Sequence, residues 1–323
     1  MKNLQSEIKN LQLKMSCRQG YGDEILALAK KNKKIIVLSA DLMDSLRVAE
    51  FKKKFPNKFL EMGVSEANMI SVAAGLALEG FVPFTSSFAV FTPNQAVSQI
   101  RVSVAYNKAN VKIVGSHAGV SIGADGATHQ ALEDIAIMRA IPGVTIFAPA
   151  DYWQTRRAVR AAAKMNGPVY IRFGRGDIEQ ITNEKTPFKI GEAQILKKGK
   201  SGTIIAHGES VHRALLAVAE LAKEKLDFGV VNLPTIKPLD EKTILNLARK
   251  TKRFVIAEDH QLTGGLGSAV AEFLAEKYAI PMEFVAIRDK FGESGEAEKL
   301  VKKYHIDTED IVEAGKRVMG RKR

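Results

Sequence analysis

Residues 111–147 read VKIVGSHAGVSIGADGATHQALEDIAIMRAIPGVTIF, and this stretch holds the pattern that decides the fold. A short run rich in β-branched residues, 111–114, opens it, and a second such run, 144–147, closes it. A glycine-rich loop and an amphipathic segment near 130–140 lie between the two runs. Because short strands joined through a helix pack side by side as a parallel pair, the stretch predicts a βαβ unit.

The same alternation extends from this unit towards both ends of the first region. Strands are predicted near residues 35–38, 82–84, 111–114, 144–147 and 169–171, and helices near 18–31, 66–79, 93–107, 130–140 and 151–165. Asp151 stands directly before the last of these helices, where a carboxylate can cap the free backbone amides.

A polar stretch from about Gly176 to Gly202 interrupts the alternation, and a second series follows it. Its strands are predicted near 203–205, 229–231, 254–256 and 284–286, and its helices near 209–224, 240–250, 264–277, 294–303 and 308–318. We therefore predict an α/β protein with two tandem domains, residues 1–185 and 186–323. Each domain is expected to hold a mostly parallel β-sheet flanked by helices.

The composition fits a globular protein without disulfides. The one cysteine, Cys17, excludes an internal disulfide and a cysteine metal cluster. No secretory signal or membrane-spanning run is recognisable, so we expect a cytoplasmic protein without a membrane partner. The chain has 48 Lys and Arg against 36 Asp and Glu, a net charge of +12. These cations are scattered and not interleaved with aromatic residues, so we expect no nucleic-acid partner.

Polar side chains follow several of the predicted strands. Asp41 follows the strand near 35–38, His117 follows the strand near 111–114, and Arg175 follows the strand near 169–171. The glycine-rich loop after His117 carries Asp125 and His129. Because ligands of open parallel sheets gather beyond the carboxyl ends of the strands, these side chains are candidates for one site.

Glu66 opens a predicted helix whose following residues are apolar nearly all round, which predicts burial. Ser65 is positioned to cap this helix. One interpretation is that the Glu66 carboxylate only complements the helix dipole. The other is that a buried carboxyl exchanges protons with a ligand, with Phe88 and Phe91 as an aromatic wall beside it.

These residues resemble the transketolase family, in its pyrimidine-binding and carboxyl-terminal domains, through most of the chain. The similar segments are SCRQGYGDEIL at 16–26, SADLMDS at 39–45, GVSEANM at 63–69, SSFAVF at 86–91, SHAGVSIGADGATHQ at 116–130 and PVYIRFGR at 168–175. The resemblance implies a thiamine-diphosphate transketolase of the pentose phosphate pathway, which moves a two-carbon glycolaldehyde unit between sugar phosphates.

The resemblance also implies roles for individual residues. Glu66 would share a proton with the N1′ atom of the cofactor's aminopyrimidine, and Phe88 and Phe91 would stack on that ring. Asp41 would lie near the thiazolium ring. Catalytic roles are implied for Glu66, His117 and His129. Sugar-phosphate binding is implied for Arg18, Ser45, His117, Asp125, His129 and Arg175. A third aromatic residue, common in the family, is replaced here by Asn94.

The Gly-Asp-Gly…Asn segment that holds a divalent ion on the cofactor's diphosphate is absent from the sequence. The resemblance therefore implies half of a split enzyme, with no metal ligands in this chain. A partner N-terminal transketolase subunit would hold Mg²⁺ or Ca²⁺ in a heterotetramer of two copies of each chain. We interpret Glu258-Asp259-His260 and the glycines 264–267 as a strand end and a tight helix start. The second domain would then serve mainly assembly.

Three alternatives remain open. A 1-deoxyxylulose-5-phosphate synthase resembles this chain through GADGATHQ at 123–130, but usually has an acid at the position of His117. The beta subunit of a 2-oxo-acid dehydrogenase shares the two-domain plan and the segment around Glu66. The third alternative is a transketolase-like regulatory subunit without turnover.

Overall fold

The computed structural model describes residues 13–321, and it contains three β-sheets. The parts of our predictions that fall on residues 1–12 and 322–323 lie outside the described residues. The described strands are β1 (Lys14–Ser16), β2 (Ile35–Ser39), β3 (Phe59–Glu61), β4 (Val82–Phe88), β5 (Lys112–Ser116), β6 (Thr145–Phe147), β7 (Val169–Arg172), β8 (Asp177–Glu179), β9 (Gln194–Lys197), β10 (Gly202–Ala206), β11 (Phe228–Asn232), β12 (Thr235–Lys237), β13 (Phe254–Gln261) and β14 (Met282–Ile287).

The first large sheet has seven strands in the order β12-β6-β7-β5-β4-β2-β3. All neighbours in it are parallel except β12, which pairs antiparallel with β6. The second large sheet has five strands in the order β14-β13-β10-β11-β9, and only β9 is antiparallel. A two-stranded antiparallel sheet joins β1 to β8. The predicted class, two mostly parallel sheets flanked by helices, is confirmed.

The helices alternate with these strands along the chain. Their bounds are Cys17–Lys31, Ala49–Lys54, Glu66–Leu78, Phe91–Gln95, Val97–Gln99, Asp134–Ala140, Tyr152–Lys164, Ser210–Lys223, Glu241–Thr251, Leu266–Lys277, Ala297–Lys303 and Thr308–Gly320. Short 3₁₀ helices cover Pro56–Lys58 and Val120–Ile122, and a π-helical segment covers Ile100–Tyr106.

Each strand predicted from the sequence is present, but three details of the helices differ. The single helix predicted over 93–107 is wrong: two short α-helical pieces precede the π-helical segment Ile100–Tyr106, where the backbone hydrogen bonds widen. Ser65 occupies the N-cap position, but its side chain makes no capping bond. The helix Glu66–Leu78 is not buried all round, because Leu78 at its end is 66% exposed.

Asp151 acts both as the predicted helix cap and as an anchor for the chain beyond β8. Its carboxylate accepts the backbone amide of Gln154 at 2.8 Å, which caps the helix. The same carboxylate accepts the amides of Ile181 and Thr182, and the Thr182 hydroxyl at 2.8 Å. One buried carboxylate thus ties the connecting segment to the first sheet.

The two large sheets share a continuous apolar core. One buried cluster joins Ile146 and Tyr170 of the first sheet to Ile205, Val231 and Phe254 of the second. Strand β12 adds a second link, because it comes from residues beyond 186 and yet extends the first sheet. The division of the chain at 185/186 stays a prediction.

Candidate active site

Glu66 is a buried carboxylate with one free oxygen. It is the first residue of its helix and is 2% exposed. Its Oε1 accepts a hydrogen bond from Ser87 Oγ at 3.0 Å. Its Oε2 has no hydrogen-bond partner among residues 13–321. Because a buried polar atom without a partner costs free energy, this oxygen indicates a missing donor, such as a ligand group.

Aromatic and imidazole rings cluster at the end of β4, next to Ser87. Phe88 stacks on His117 with centroids 3.8 Å apart, and on Phe91 at 5.6 Å. His129 meets the Phe91 ring edge-on at 5.3 Å. The parallel pairing of β4 with β5 brings Phe88 opposite Ser116, which explains why His117 lies against the ring. Phe88 is buried in this cluster and Phe91 is half-buried, so Phe91 is the more accessible ring for a stacked ligand.

His117 is buried within this cluster and neutral at physiological pH. Burial lowers the pKa of its imidazole to about 3, and the positive charges of Arg18 and Arg175 act in the same direction. Its Nδ1 lies 2.8 Å from Ser116 Oγ. His117 is therefore available as a neutral hydrogen-bonding group rather than as a cation.

Two guanidinium groups converge beside His117. Arg18 donates through Nε to the Arg175 carbonyl at 2.9 Å, and through Nη1 to the Ser45 carbonyl at 3.0 Å. Arg175 donates through Nη1 to Asp125 Oδ1 at 2.9 Å. Burial first, and the charges of Arg47 and Arg175 second, lower the pKa of Arg18. This concentration of positive charge suits an anionic ligand group.

Asp41 follows β2 at the same edge of the sheet, and its side chain is exposed. Its backbone amide donates to Glu61 Oε1 at 2.8 Å, and its φ of 59° places it in the left-handed region. The register of β2 against β4 pairs Ser39 with Ser86, so Asp41 ends the strand next to the one that carries Phe88.

Asn94 stands where the family commonly has a third aromatic residue, and it bonds Glu133, which directly precedes the helix Asp134–Ala140. Its Nδ2 donates to Glu133 Oε1 at 2.9 Å. The other oxygen of Glu133 accepts the backbone amide of Leu132 at 3.0 Å. A polar pair therefore occupies this position.

The structure thus brings together most of the residues predicted for the site. Arg18, Ser45, Asp125 and Arg175 form one hydrogen-bonded group, Phe88, Phe91, His117 and His129 form another, and Glu66 adjoins the second through Ser87. Asp41 makes no contact with either group that the described residues show, and is placed only by the strand order.

Ser87 and Glu133 were given no role from the sequence, although they bond Glu66 and Asn94 in the structure. Ser87 carried a usable signal, because Ser86-Ser87 is a polar pair at the end of an apolar strand. Glu133 bonds Asn94 from 39 positions away, a contact with no local signal.

A metal site does not form among the described residues, since none of their His, Cys, Asp and Glu side chains gather in groups of three or more that could hold an ion. None of the helices within residues 13–321 has the length and apolar character needed to cross a membrane.

The chain matches two protein-family models. Residues 13–180 match the pyrimidine-binding domain of transketolase, and residues 191–311 match the transketolase C-terminal domain. Together these two matches cover most of the chain.

Similar proteins include both separate subunits and longer chains. A protein of Methanocaldococcus jannaschii with the provisional name transketolase C-terminal section is 46% identical over 94% of this chain and 95% of its own. The 6-deoxy-6-sulfo-D-fructose transketolase subunit SqwH of a Clostridium species is 43% identical over 94% of this chain and 95% of its own. Human transketolase is 38% identical over 93% of this chain, but that match spans only 48% of the human protein.

Solved structures give the same pattern. A chain described as a split gene transketolase, in an inactive beta4 tetramer, superposes with a TM-score of 0.88 at 41% identity. That match covers 96% of this chain and 99% of the other. A transketolase from Campylobacter jejuni, at 23% identity and a TM-score of 0.79, shares the fold.

Proposed function

Because this chain belongs to the transketolase family, we propose that it is the carboxyl-terminal subunit of a split transketolase dependent on thiamine diphosphate. The proposed reaction transfers a two-carbon glycolaldehyde unit from a ketose phosphate to an aldose phosphate. We propose Glu66, His117 and His129 as its catalytic residues in this chain. The divided arrangement 1–185 and 186–323, and a cytoplasmic location, belong to the same proposal.

The free oxygen of Glu66 is the observation that carries this proposal. A buried carboxylate with one oxygen satisfied by Ser87 and the other without a partner in residues 13–321 fits a ring nitrogen that shares a proton. Phe88 follows Ser87 on β4 and stacks on Phe91, and we propose that these two rings contact the cofactor's pyrimidine. When bound, thiamine diphosphate supplies the carbanion chemistry that amino acid side chains lack.

The substrate side of the proposal rests on positive charge. Asp125 pairs with Arg175, whereas the hydrogen bonds of Arg18 go to two backbone carbonyls, so anionic oxygens of a substrate would balance the group. The names of two relatives specify sugars that carry an anionic group, a 6-sulfo-fructose and apulose 4-phosphate. We propose that Arg18, Ser45, His117 and Arg175 hold such a group. Asp125 and His129 would contact the sugar hydroxyls, and His129 would transfer a proton at the reacting carbonyl.

The partner side of the proposal rests on the sequence and on one exposed face. The Gly-Asp-Gly…Asn segment that would hold Mg²⁺ or Ca²⁺ is absent from the sequence, so we propose that a separate N-terminal subunit supplies it. The helix that starts at Glu66 packs beside the segment Ile100–Tyr106. Leu78, Val102 and Tyr106 are exposed there, with Tyr106 at 85%. We propose that this apolar face meets the partner in an α2β2 heterotetramer.

Reconstitution with a partner chain tests the proposal. The chain is purified with a protein of comparable size that carries Gly-Asp-Gly…Asn, and the pair is supplied with thiamine diphosphate and Mg²⁺. Turnover of xylulose 5-phosphate with ribose 5-phosphate is expected, and neither chain alone should turn over. Turnover only of pyruvate with glyceraldehyde 3-phosphate would favour the deoxyxylulose-phosphate synthase, and turnover of a 2-oxo acid would favour the dehydrogenase subunit. Full activity of a Glu66→Ala pair would favour the regulatory subunit.

A further inference from the structure

The glycine-rich loop that carries Asp125 and His129 belongs to the first sheet, but its position depends on the second sheet. We infer that Asp259, at the end of β13, is a positioning residue that holds this loop in its binding geometry. This inference rests on the proposed function, and it assigns to the second domain a role in the site beyond assembly.

The Asp259 carboxylate accepts two hydrogen bonds from backbone amides at the start of the loop. Its side chain is 6% exposed. Its Oδ1 accepts the amide of Val120 at 2.9 Å, and its Oδ2 accepts the amide of Ser121 at 3.2 Å. A charged acceptor in a buried place makes stronger hydrogen bonds than a neutral one. The two bonds fix the loop directly after His117 and Ala118.

Gly119 is required for this approach. Its φ is 88°, a conformation that a side chain strains, and a Cβ atom there would lie 2.1 Å from Asp259 Oδ2. The carboxylate therefore packs directly on the loop backbone. Gly119 and Asp259 are 140 positions apart in the chain, so this fit is a property of how the two sheets pack.

A residue of the first sheet in turn holds the backbone of Asp259. Arg172 on β7 donates through Nη2 to the Asp259 carbonyl at 3.1 Å. Arg172 also donates through Nε to Asp134 Oδ2 at 2.8 Å, and Tyr170 donates to the same oxygen at 2.8 Å. This buried network fixes the backbone of Asp259 relative to the strand that leads to Arg175.

The far end of the loop has a second anchor. Gln130 Nε2 donates to the Gly123 carbonyl at 3.2 Å and to the Glu293 carbonyl at 2.9 Å, and Glu293 belongs to the second domain. Asp125 and His129 lie between the two anchors. Asp259 therefore anchors one end of the loop and Glu293 anchors the other. Between the two anchors, Asp125 accepts a hydrogen bond from Arg175.

Arg139 offers a matched control, because it joins the same two domains without contacting the loop. It donates to the carbonyls of Gly264 and Gly265 at 2.7 and 3.2 Å, and to Glu272 at 2.7 Å. A general loosening of the interface would make Arg139→Ala and Asp259→Ala behave alike. Positioning of the loop by Asp259 predicts that they differ.

The first experiment needs no activity. Amide hydrogen exchange is measured on the full chain for peptides within residues 116–130. Asp259→Ala is expected to speed exchange there at least about tenfold, because two amides lose their acceptor. Asp259→Asn, which keeps the shape and one acceptor oxygen, is expected to lie between wild type and Asp259→Ala, and Arg139→Ala to match wild type in these peptides. Unchanged exchange in both Asp259 variants, or equal changes in Arg139→Ala, would overturn the inference. If Asp259→Ala does not fold, Asp259→Asn is compared with Arg139→Ala by the same criterion.

The second experiment uses the reconstituted pair with ribose 5-phosphate as acceptor. Asp259→Asn is expected to raise KM about tenfold and to change kcat less, whereas Arg139→Ala leaves KM unchanged. Equal losses of kcat in both variants would contradict a positioning role. If the wild-type pair has no transferase activity, the proposed function fails, and hydrogen exchange alone still decides whether Asp259 positions the loop.

Discussion

Ser87 Oγ donates a hydrogen bond to Glu66 Oε1 at 3.0 Å, whereas the other oxygen of the same carboxylate, Oε2, is buried and has no partner among residues 13–321. Oε2 is therefore the oxygen through which Glu66 can bond a ligand. Ser87 lies on β4 and Glu66 opens the helix that leads into β4, so both are fixed by the packing of one βαβ unit.

Glu66→Gln is the sharpest test of the proposed proton exchange. We expect turnover of the reconstituted pair to fall at least about 100-fold, because a buried amide cannot exchange a proton at neutral pH. The thermal midpoint of the chain should change little, since Gln has nearly the same shape as Glu. Ser87→Ala serves as the control. Its turnover should fall only a few-fold, because the substitution removes one hydrogen bond that orients Glu66. Equal turnover of wild type and Glu66→Gln contradicts the role of Glu66.

Arg18→Met tests recognition of an anionic substrate group. We expect KM for ribose 5-phosphate to rise about 10- to 100-fold, which corresponds to the loss of a charge-assisted hydrogen bond of about 1.5–3 kcal/mol. With ribose, which has no phosphate, KM should change little. Arg18→Lys keeps the charge, so its KM for ribose 5-phosphate should lie between the values for wild type and Arg18→Met. An equal rise in KM for both acceptors would show that Arg18 shapes the pocket instead.

The pH dependence of stability should report on His117. Its pKa is about 3 in the folded chain and about 6.5 when unfolded, so between these values the unfolded state binds one more proton. Stability is therefore fully present above pH 6.5 and falls with falling pH, by up to about 1.4 kcal/mol per pH unit. His117→Asn, which can keep a bond to Ser116, should lose this part of the slope.

The measurement is urea unfolding of wild type and His117→Asn from pH 7.5 down to pH 4.5. The difference between their unfolding free energies should be constant above pH 7 and should change in favour of the variant below pH 6. Parallel curves across the whole range would mean that His117 accepts a proton in the folded chain.

Asp151 should stabilise the fold more than an ordinary helix cap. Asp151→Ala removes the cap and also the bonds to Ile181 and Thr182, so we expect a loss of about 3 kcal/mol in the free energy of unfolding. Asp307→Ala is the matched control, because Asp307 caps its own helix through local bonds only. We expect this substitution to lower the free energy of unfolding by about 1 kcal/mol. Urea unfolding of both variants gives the comparison, and equal losses would contradict the anchoring role of Asp151.

The apolar face formed by Leu78, Val102 and Tyr106 should be needed for assembly. Leu78→Glu and Val102→Glu are each expected to weaken capture by the N-terminal partner at least about tenfold, because a charge would be buried at the contact. Phe291→Glu is the control, since Phe291 is 86% exposed and lies after β14 on the second sheet. Quantitative pull-down measures the effect. Equal capture of all three variants would place the partner on a different face.

The strands and most helices could be predicted because their signals are local. The β-branched runs that became β2, β4, β5 and β7 are surrounded by turns and amphipathic segments, so their period and position are readable along the chain. The short strands β1, β3, β8, β9 and β12 were missed, since three or four residues carry too little pattern. The irregular hydrogen bonds of Ile100–Tyr106 also have no local signal.

The alternating α/β order, the polar residues at the strand ends and the resemblance that links them can be recognised along the chain, because each depends on neighbours within a few residues. The packing of the two sheets was needed to show which oxygen of Glu66 is free, how Arg18 reaches Arg175, and that Asp259 bonds the loop at Val120 and Ser121. The physical reason is that a hydrogen bond depends on distance and direction in space. Val120 and Asp259, 139 positions apart, come within 2.9 Å only after two sheets have packed together.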